Sequence, residues 1–393
     1  MNGAFTQKQL EYLKYATHRW NIKCGATRSG KTYLDYYVIP KRIRAVAGKD
    51  GLNVILGNTK GTLQRNVIEP LQKIWGTQLV SDIKSDNTAY LFGEKVYCLG
   101  ADKINRVNQI RGPSFKYVYG DEIVTWNREV FAMLKTRLDK SYSKFDGTCN
   151  PDSPSHWMKD FIDNSDADIY YQQYSLFDNI FLPKDVKENM LKENVGVYYQ
   201  RFILGEWALA DGLIFSYDEP LNGFDDEEIG GGAWYITCDY GINNPFVAQL
   251  WNVKYRRAVC VDEYYYDPKK HSNRRLTDEE HYTAIETLAA DKPIEMIVID
   301  PSATSMKETV RRHERFDCVN ANNDVRGGIG NMSSFMAQGF LKWSKSKCIN
   351  TIGEFSVYSW DSDSGEDKPI KNNDHGCDAS RYLCQTVLRR EWT

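Results

Sequence analysis

The sequence reads as two α/β domains in series, the first on a mostly parallel sheet and the second on a mixed sheet. Three observations lead there. Gly25-Ala26-Thr27-Arg28-Ser29-Gly30-Lys31-Thr32 fits the spacing G-x-x-x-x-G-K-[ST], a loop that needs a strand before it and a helix after it. The stretch around this loop alternates strand-like and helix-like segments, the order that builds a sheet with helices on its faces. Beyond residue 233 the order changes, and three strand candidates follow one another on short connections, as in an antiparallel meander.

At 393 residues the chain can bury two separate cores. The domains are expected to span residues 1–208 and 209–393. A net charge of -3 argues against a wholly basic coat and leaves room for a local basic groove. The nine cysteines are scattered and never spaced C-x-x-C, so buried, reduced thiols are expected rather than a zinc site. Apolar runs such as Met296-Ile297-Val298-Ile299 are far too short to span a bilayer, and no export signal opens the chain. A soluble, cytoplasmic protein without a membrane partner is therefore expected.

Taken in order, Trp20 to Cys24 predicts the strand entering the loop, and Thr32 to Ala47 the helix leaving it. The glycines let successive N–H groups turn inward toward a phosphate chain, and the helix dipole adds to the attraction. Lys31 brings a positive charge to the outer phosphates and Thr32 a hydroxyl for Mg²⁺, with Gly25, Arg28, Ser29 and Gly30 shaping the cradle. A strand at Leu52 to Gly57 and a helix around Leu63 to Trp75 follow. Tyr90 to Cys98 predicts a hairpin turning at Gly93-Glu94. Phe115 to Tyr119 predicts a strand that delivers Gly120-Asp121-Glu122. A helix at about Arg128 to Asp139, a strand into Thr148-Cys149-Asn150-Pro151, and helical segments from Pro183 to Leu204 complete this half.

The stretch from Asp218 to Gly232, with Asp225-Asp226-Glu227-Glu228 and the run Gly230-Gly231-Gly232, reads equally as a surface loop or an interdomain linker. Strands follow at Trp234 to Asp239, Phe246 to Val253 and Ala258 to Tyr266. Next come a helix at Thr277 to Ala290, a strand at Glu295 to Asp300, and a last helix at Asp374 to Arg389.

Two sets of residues carry chemistry. In the first, Asp121 at a strand tip suits the water shell of a nucleotide-bound Mg²⁺, and Glu122 suits a base for the attacking water. Arg28, Arg111, Arg128 and Arg137 are the candidate cations for a transferring phosphoryl group, and each reads equally well as a surface arginine. Gln9, in Phe5-Thr6-Gln7-Lys8-Gln9, is a candidate for the adenine edge. Thr148 and Asn150 form a polar strand tip that either senses the γ-phosphate or simply makes an Asn-Pro turn. In the second set, Asp239 ends the first meander strand and Asp300 the strand after the helix. Asp378 lies in the last helix, with Asp374 one turn before it. Three antiparallel strands, a helix and a further strand is the order of the ribonuclease H fold, in which the first and fourth strands are neighbours. Carboxylates gathered there repel one another unless cations neutralise them, so Asp239, Asp300, Asp378 and Asp374 suit two Mg²⁺ or Mn²⁺ ions about 3.5–4 Å apart. Glu263 and His375 are weaker candidates.

Together, a P-loop ATPase followed by a ribonuclease H-like nuclease resembles the large terminase subunit of tailed bacteriophages. The motifs run in order from Gly25–Thr32 through Asp121-Glu122, Gly147-Thr148-Cys149-Asn150-Pro151 and Leu204-Gly205-Glu206-Trp207 to Asp239, Asp300 and the Asp-x-x-x-Asp-Ala-x-Arg-Tyr ending at Asp374–Tyr382. The resemblance implies an ATP-driven pump for double-stranded DNA whose nuclease cuts concatemers. It also implies a homo-oligomeric ring on the portal protein of a procapsid, a small terminase subunit as partner, and the cytoplasm of an infected bacterial host. On the same basis Glu122 is the catalytic carboxylate, Thr148 and Asn150 couple hydrolysis to movement, and the trans-acting arginine is Arg137, with Arg128 and Arg111 behind it. The competing expectations are a helicase-like or repair ATPase fused to a nuclease, for which paired helicase motifs are missing, and a DNA-binding scaffold that does not cut.

Overall fold

The computed structural model describes residues 5–225, 229–361 and 363–389. The chain divides into two compact units, Met1–Glu188 with Gly196–Leu209, and Asn189–Val195 with Ala210–Thr393.

The first unit holds a seven-stranded sheet of β1 (Trp20–Gly25), β2 (Leu52–Gly57), β3 (Thr88–Leu91), β4 (Glu94–Gly100), β5 (Phe115–Gly120), β6 (Lys144–Cys149) and β7 (Ile169–Tyr174). Their order is β3-β4-β2-β5-β6-β1-β7, and only the β3–β4 hairpin is antiparallel. Strands β1 and β5 are buried along their whole length, with Trp20, Ile22 and Cys24 on one face of β1 and the buried polar residues Asn21 and Lys23 on the other. Ile22, Cys24, Val54, Leu56, Val118 and Phe145 fill one core cluster, while Ile39, Ile43, Ile55, Tyr117 and Tyr119 fill another. The hairpin turns at Phe92-Gly93, one residue earlier than expected, because both adopt the positive φ (54° and 86°) that a tight primed turn requires. Strand β7 and the helix Trp157–Asn164 escaped the sequence reading. In β7, Tyr-Tyr-Gln-Gln carries no alternation because this edge strand is only partly covered.

The second unit holds β8 (Gly223–Phe224), β9 (Ala233–Asp239), β10 (Phe246–Lys254), β11 (Arg257–Tyr266), β12 (Ile294–Ile299), β13 (Cys318–Asn320) and β14 (Leu341–Ser344), ordered β13-β12-β9-β10-β11-β14-β8. Strands β9, β10 and β11 form the antiparallel meander, and β12 lies parallel beside β9. Alternation along β9 sends Trp234, Ile236 and Cys238 into the core. Opposite residues face the last helix, His375–Leu383, which continues as one π-helical turn through Leu388. Part of the expected linker is thus sheet: Gly223–Phe224 pairs with β14 at the edge. Asp226, Glu227 and Glu228 lie outside the described residues. All nine cysteines are free, and eight are buried. Among the described residues no helix is long and apolar enough to cross a membrane.

Candidate functional site

In the first unit, β1 runs into the phosphate loop and the helix Lys31–Ala45 runs out of it. Gly25 (φ 151°) presses so closely on β7 that a Cβ there would stand 1.9 Å from the Tyr174 carbonyl oxygen. Gly30 takes φ 88° at the helix N-cap, and Arg28 takes φ 56° with its side chain exposed. The Arg28 carbonyl accepts a hydrogen bond from Asn179 Nδ2 at 2.7 Å. Ser29 Oγ donates to the Ala26 carbonyl, which pins the loop from inside.

Lys31 is buried, and its Nζ donates to the carbonyls of Gly25 (2.8 Å) and Ala26 (2.6 Å), to Ser29 Oγ (3.3 Å) and to Asn150 Oδ1 (3.2 Å). Burial lowers its pKa to about 8. The register of β1 on β6 pairs Lys23 with Thr148 and Cys24 with Cys149, and so brings Asn150 to the loop. Gln9 arrives as well, but its carboxamide is committed: Oε1 accepts from the Thr6 N–H, and Nε2 donates to the Gly30 carbonyl at 2.9 Å. It braces the loop rather than standing free for a base.

Asp121 follows β5 with its N–H on the Leu56 carbonyl. Its pKa rises to about 7, first through burial and then through the charges of Glu122 and Asp35. Glu122 is exposed and held at φ 51°, a costly conformation for a non-glycine residue. Arg137 lies at the other end of the strand, where its carbonyl accepts from the Phe115 N–H and its guanidinium donates to Gly112 and Thr136. Six residues of β5 separate that end from Asp121, roughly 20 Å. Arg111 and Arg128 are exposed.

Below the loop lies a buried ion pair that no motif spacing marks. Lys23, mid-strand, pairs at 2.7 Å with Asp35 on the loop's helix, and both side chains are fully buried. The Lys23 ammonium also stands 3.9 Å from the Tyr12 ring centroid, and Tyr119 donates to Asp35. Burial raises the Asp35 pKa to about 6 against the lowering effect of Lys23. A second pair, Arg42 and Asp146 at 2.8 Å, takes a further hydrogen bond from Tyr12. The signal was a lysine inside an apolar strand followed by an aspartate one turn past Lys31.

In the second unit, pairing of Cys238 with Ile299 sets Asp239 and Asp300 side by side. Tyr382 bridges them, its hydroxyl 2.6 Å from Asp300 Oδ2 and 3.2 Å from Asp239 Oδ1. His375 Nδ1 lies 2.8 Å from the other oxygen of Asp239. Asp378 pairs with Arg381, which also holds Asn323. Burial lifts Asp378 to about 6, and the charges of Asp239 and Asp374 add to the rise. Asp374 is raised by burial and by Asp239. Burial works against the Asp300 charge, yet hydrogen bonds from Ser302 and Tyr382 hold that carboxyl below its usual range. Glu263 is spent elsewhere, accepting from Asn350 and Thr351 at the start of the helix Ile349–Phe355.

Among the described residues no three acidic, histidine or cysteine side chains form a metal cage as they stand, and Tyr382, His375 and Arg381 each engage a carboxylate. The donor set still suits a divalent cation. Two adjacent strand-end aspartates share one hydroxyl, and Asp374 and Asp378 carry negative charge that their neighbours resist.

Residues 23–220 match the family model for the terminase large subunit, T4likevirus-type, N-terminal. The chain is similar to the large terminase of a thermophilic bacteriophage in its ADP complex, with 30% identity, 98% of this chain and 100% of that chain covered, and a TM-score of 0.83. A second crystal form of that phage protein gives a TM-score of 0.84 at 30% identity over 98% and 99% of the two chains. Its ATP-γ-S complex gives 0.82 at the same identity and coverage. No curated protein matches the chain.

Proposed function

The chain belongs to the terminase large-subunit family, in which an ATPase and a nuclease serve viral DNA packaging, and we propose that this member drives double-stranded DNA into a procapsid with ATP and cuts concatemers with carboxylate-bound metal. One observation carries the reading: a strand–loop–helix phosphate cradle and a pair of adjacent strand-end aspartates occur in one chain. The thermophilic phage relative, similar over its whole length, has been seen with ADP and ATP-γ-S, which supports ATP as the fuel.

In this reading the loop N–H groups and Lys31 bind the phosphates. Lys31 exchanges its bonds to the loop carbonyls for phosphate oxygens, which frees Asn150 to report the change along β6 beside Thr148. Glu122, exposed beside the buried Asp121, orients the attacking water and takes its proton. The family resemblance makes Arg137, with Arg128 and Arg111 behind it, the arginine that serves a neighbouring copy in a ring, and its place at the far end of β5 from Asp121 is compatible with that role. Thr32 and Asp121 in the first unit, and Asp239, Asp300 and Asp378 with Asp374 in the second, would hold divalent ions, which when bound would offset the phosphate charge and acidify water. Without metal, Tyr382 holds the Asp239 and Asp300 oxygens and His375 holds Asp239, and the ions would displace these contacts. The portal protein and a small terminase subunit are the proposed partners, in the cytoplasm of an infected bacterium.

The test is a crossed pair of variants. Lys31→Ala should abolish ATP hydrolysis and leave Mn²⁺-dependent plasmid nicking, whereas Asp239→Asn should do the reverse. ATPase activity surviving Lys31→Ala, or nicking surviving Asp239→Asn, would sink the corresponding assignment.

A further inference from the structure

The near-neutral chain concentrates positive charge where the meander ends. Pro268-Lys269-Lys270-His271-Ser272-Asn273-Arg274-Arg275 carries four lysines and arginines in eight residues, and Lys269 through Arg275 are exposed. Strand register fixes where this loop emerges. Asp239 pairs with Val247, and Val247 pairs with Tyr265, so the root of the loop lies two strands from Asp239, roughly 10 Å, at the same end of the sheet. The root is also tied to the last helix: Tyr265 donates to Glu354 (2.8 Å), which accepts the N–H groups of Gly376 and Cys377 just before Asp378.

The loop is built rather than loose. The Tyr266 ring stacks on His271 at 4.8 Å and 5°, and its hydroxyl donates to the Arg274 carbonyl. Ser272 and Asn273 make the turn at positive φ, and the Asn273 N–H closes it on Pro268. The acidic residues nearby are already engaged. Asp267 accepts from the Lys269 N–H, Asp278 takes the Tyr240 hydroxyl, Glu279 pairs with Arg312 and His313, and Glu280 pairs with Arg274. Lys269, Lys270 and Arg275 have no carboxylate partner among the described residues, and Lys270 lies only over the Tyr265 ring.

We propose that the 268–275 loop is the backbone grip of the second unit: Lys269, Lys270 and Arg275 bind duplex DNA phosphates and seat the scissile strand against Asp239 and Asp300. Cations are needed there because those carboxylates repel the very backbone they would cut. The inference rests on the nuclease reading.

The test uses the full chain and a short linear duplex without a cutting metal, with affinity followed by fluorescence anisotropy across a salt series. The triple variant Lys269→Ala/Lys270→Ala/Arg275→Ala removes three phosphate contacts, so the slope of log affinity against log salt should flatten by about 2–3. With Mn²⁺ its nicking should show a raised KM and a retained kcat. Lys254→Ala, which removes a cation at the far end of the β10–β11 hairpin, should leave both unchanged. A triple variant with the parental slope and KM overturns the grip. Asp239→Asn separates the two ideas, because nicking that persists in it contradicts the nuclease centre, while its salt slope still reports on the loop.

Discussion

Lys23→Met breaks the fully buried pair that joins the strand entering the phosphate loop to the helix leaving it. Removing one partner of a buried ion pair costs about 3–5 kcal/mol, because the other charge stays behind without compensation. Asp35 has an escape. Its pKa is already about 6 with Lys23 beside it, and losing that lowering influence raises it further, so near neutral pH it can take a proton. The sign follows from linkage: a carboxyl whose folded pKa lies above its unfolded value binds a proton more tightly when folded, so stability falls as pH rises from the unfolded toward the folded pKa. The loss in Lys23→Met should therefore be smaller at pH 6 than at pH 8. Hydrogen exchange of peptides spanning residues 20–45 reads the local opening. About 3 kcal/mol corresponds to roughly a hundredfold faster exchange at pH 8. Lys23→Met/Asp35→Leu should recover most of it, since a matched apolar pair is often neutral or better. An equal acceleration at both pH values, or no recovery in the double variant, would refute the reasoning.

Tyr382→Phe should lower the melting temperature of the metal-free protein, because two carboxylates lose their shared donor, and Mn²⁺ should then bind roughly five- to tenfold more tightly. Calorimetry giving the parental Mn²⁺ affinity would contradict this. Gln9→Ala should weaken binding of ATP and of inorganic triphosphate equally, because the amide holds the loop at Gly30. A loss confined to ATP would instead assign Gln9 to the base.

Much of this molecule was legible in one sequence where chemistry imposes spacing. The phosphate loop needs its glycines, lysine and threonine at fixed offsets, and the strands β1 and β5 were placed by the motifs they deliver, Gly25–Thr32 and Asp121-Glu122, although Asn21, Lys23 and Lys116 interrupt their apolar residues. Parallel pairing of β12 with β9 followed from the order of elements, and with it the adjacency of Asp239 and Asp300. What escaped was set by tertiary context. Lys23 and Asp35 look like surface residues until the sheet and helix bury them together. Glu263 looked free for a metal and is consumed by a helix start. Tyr382 and Arg381 were visible as part of a motif, but nothing in their spacing says that they engage the neighbouring carboxylates. Strand β8 hid in a glycine-flanked acidic stretch because two residues carry no period.

Packaging itself is the most direct measurement: purified protein, procapsids bearing portal, ATP and linear duplex DNA, scored by DNA protected from added nuclease. The wild-type chain should protect DNA only with hydrolysable ATP, and Glu122→Gln should bind ATP yet protect none. Protection without ATP, or undiminished protection by Glu122→Gln, would contradict a motor built on this phosphate loop.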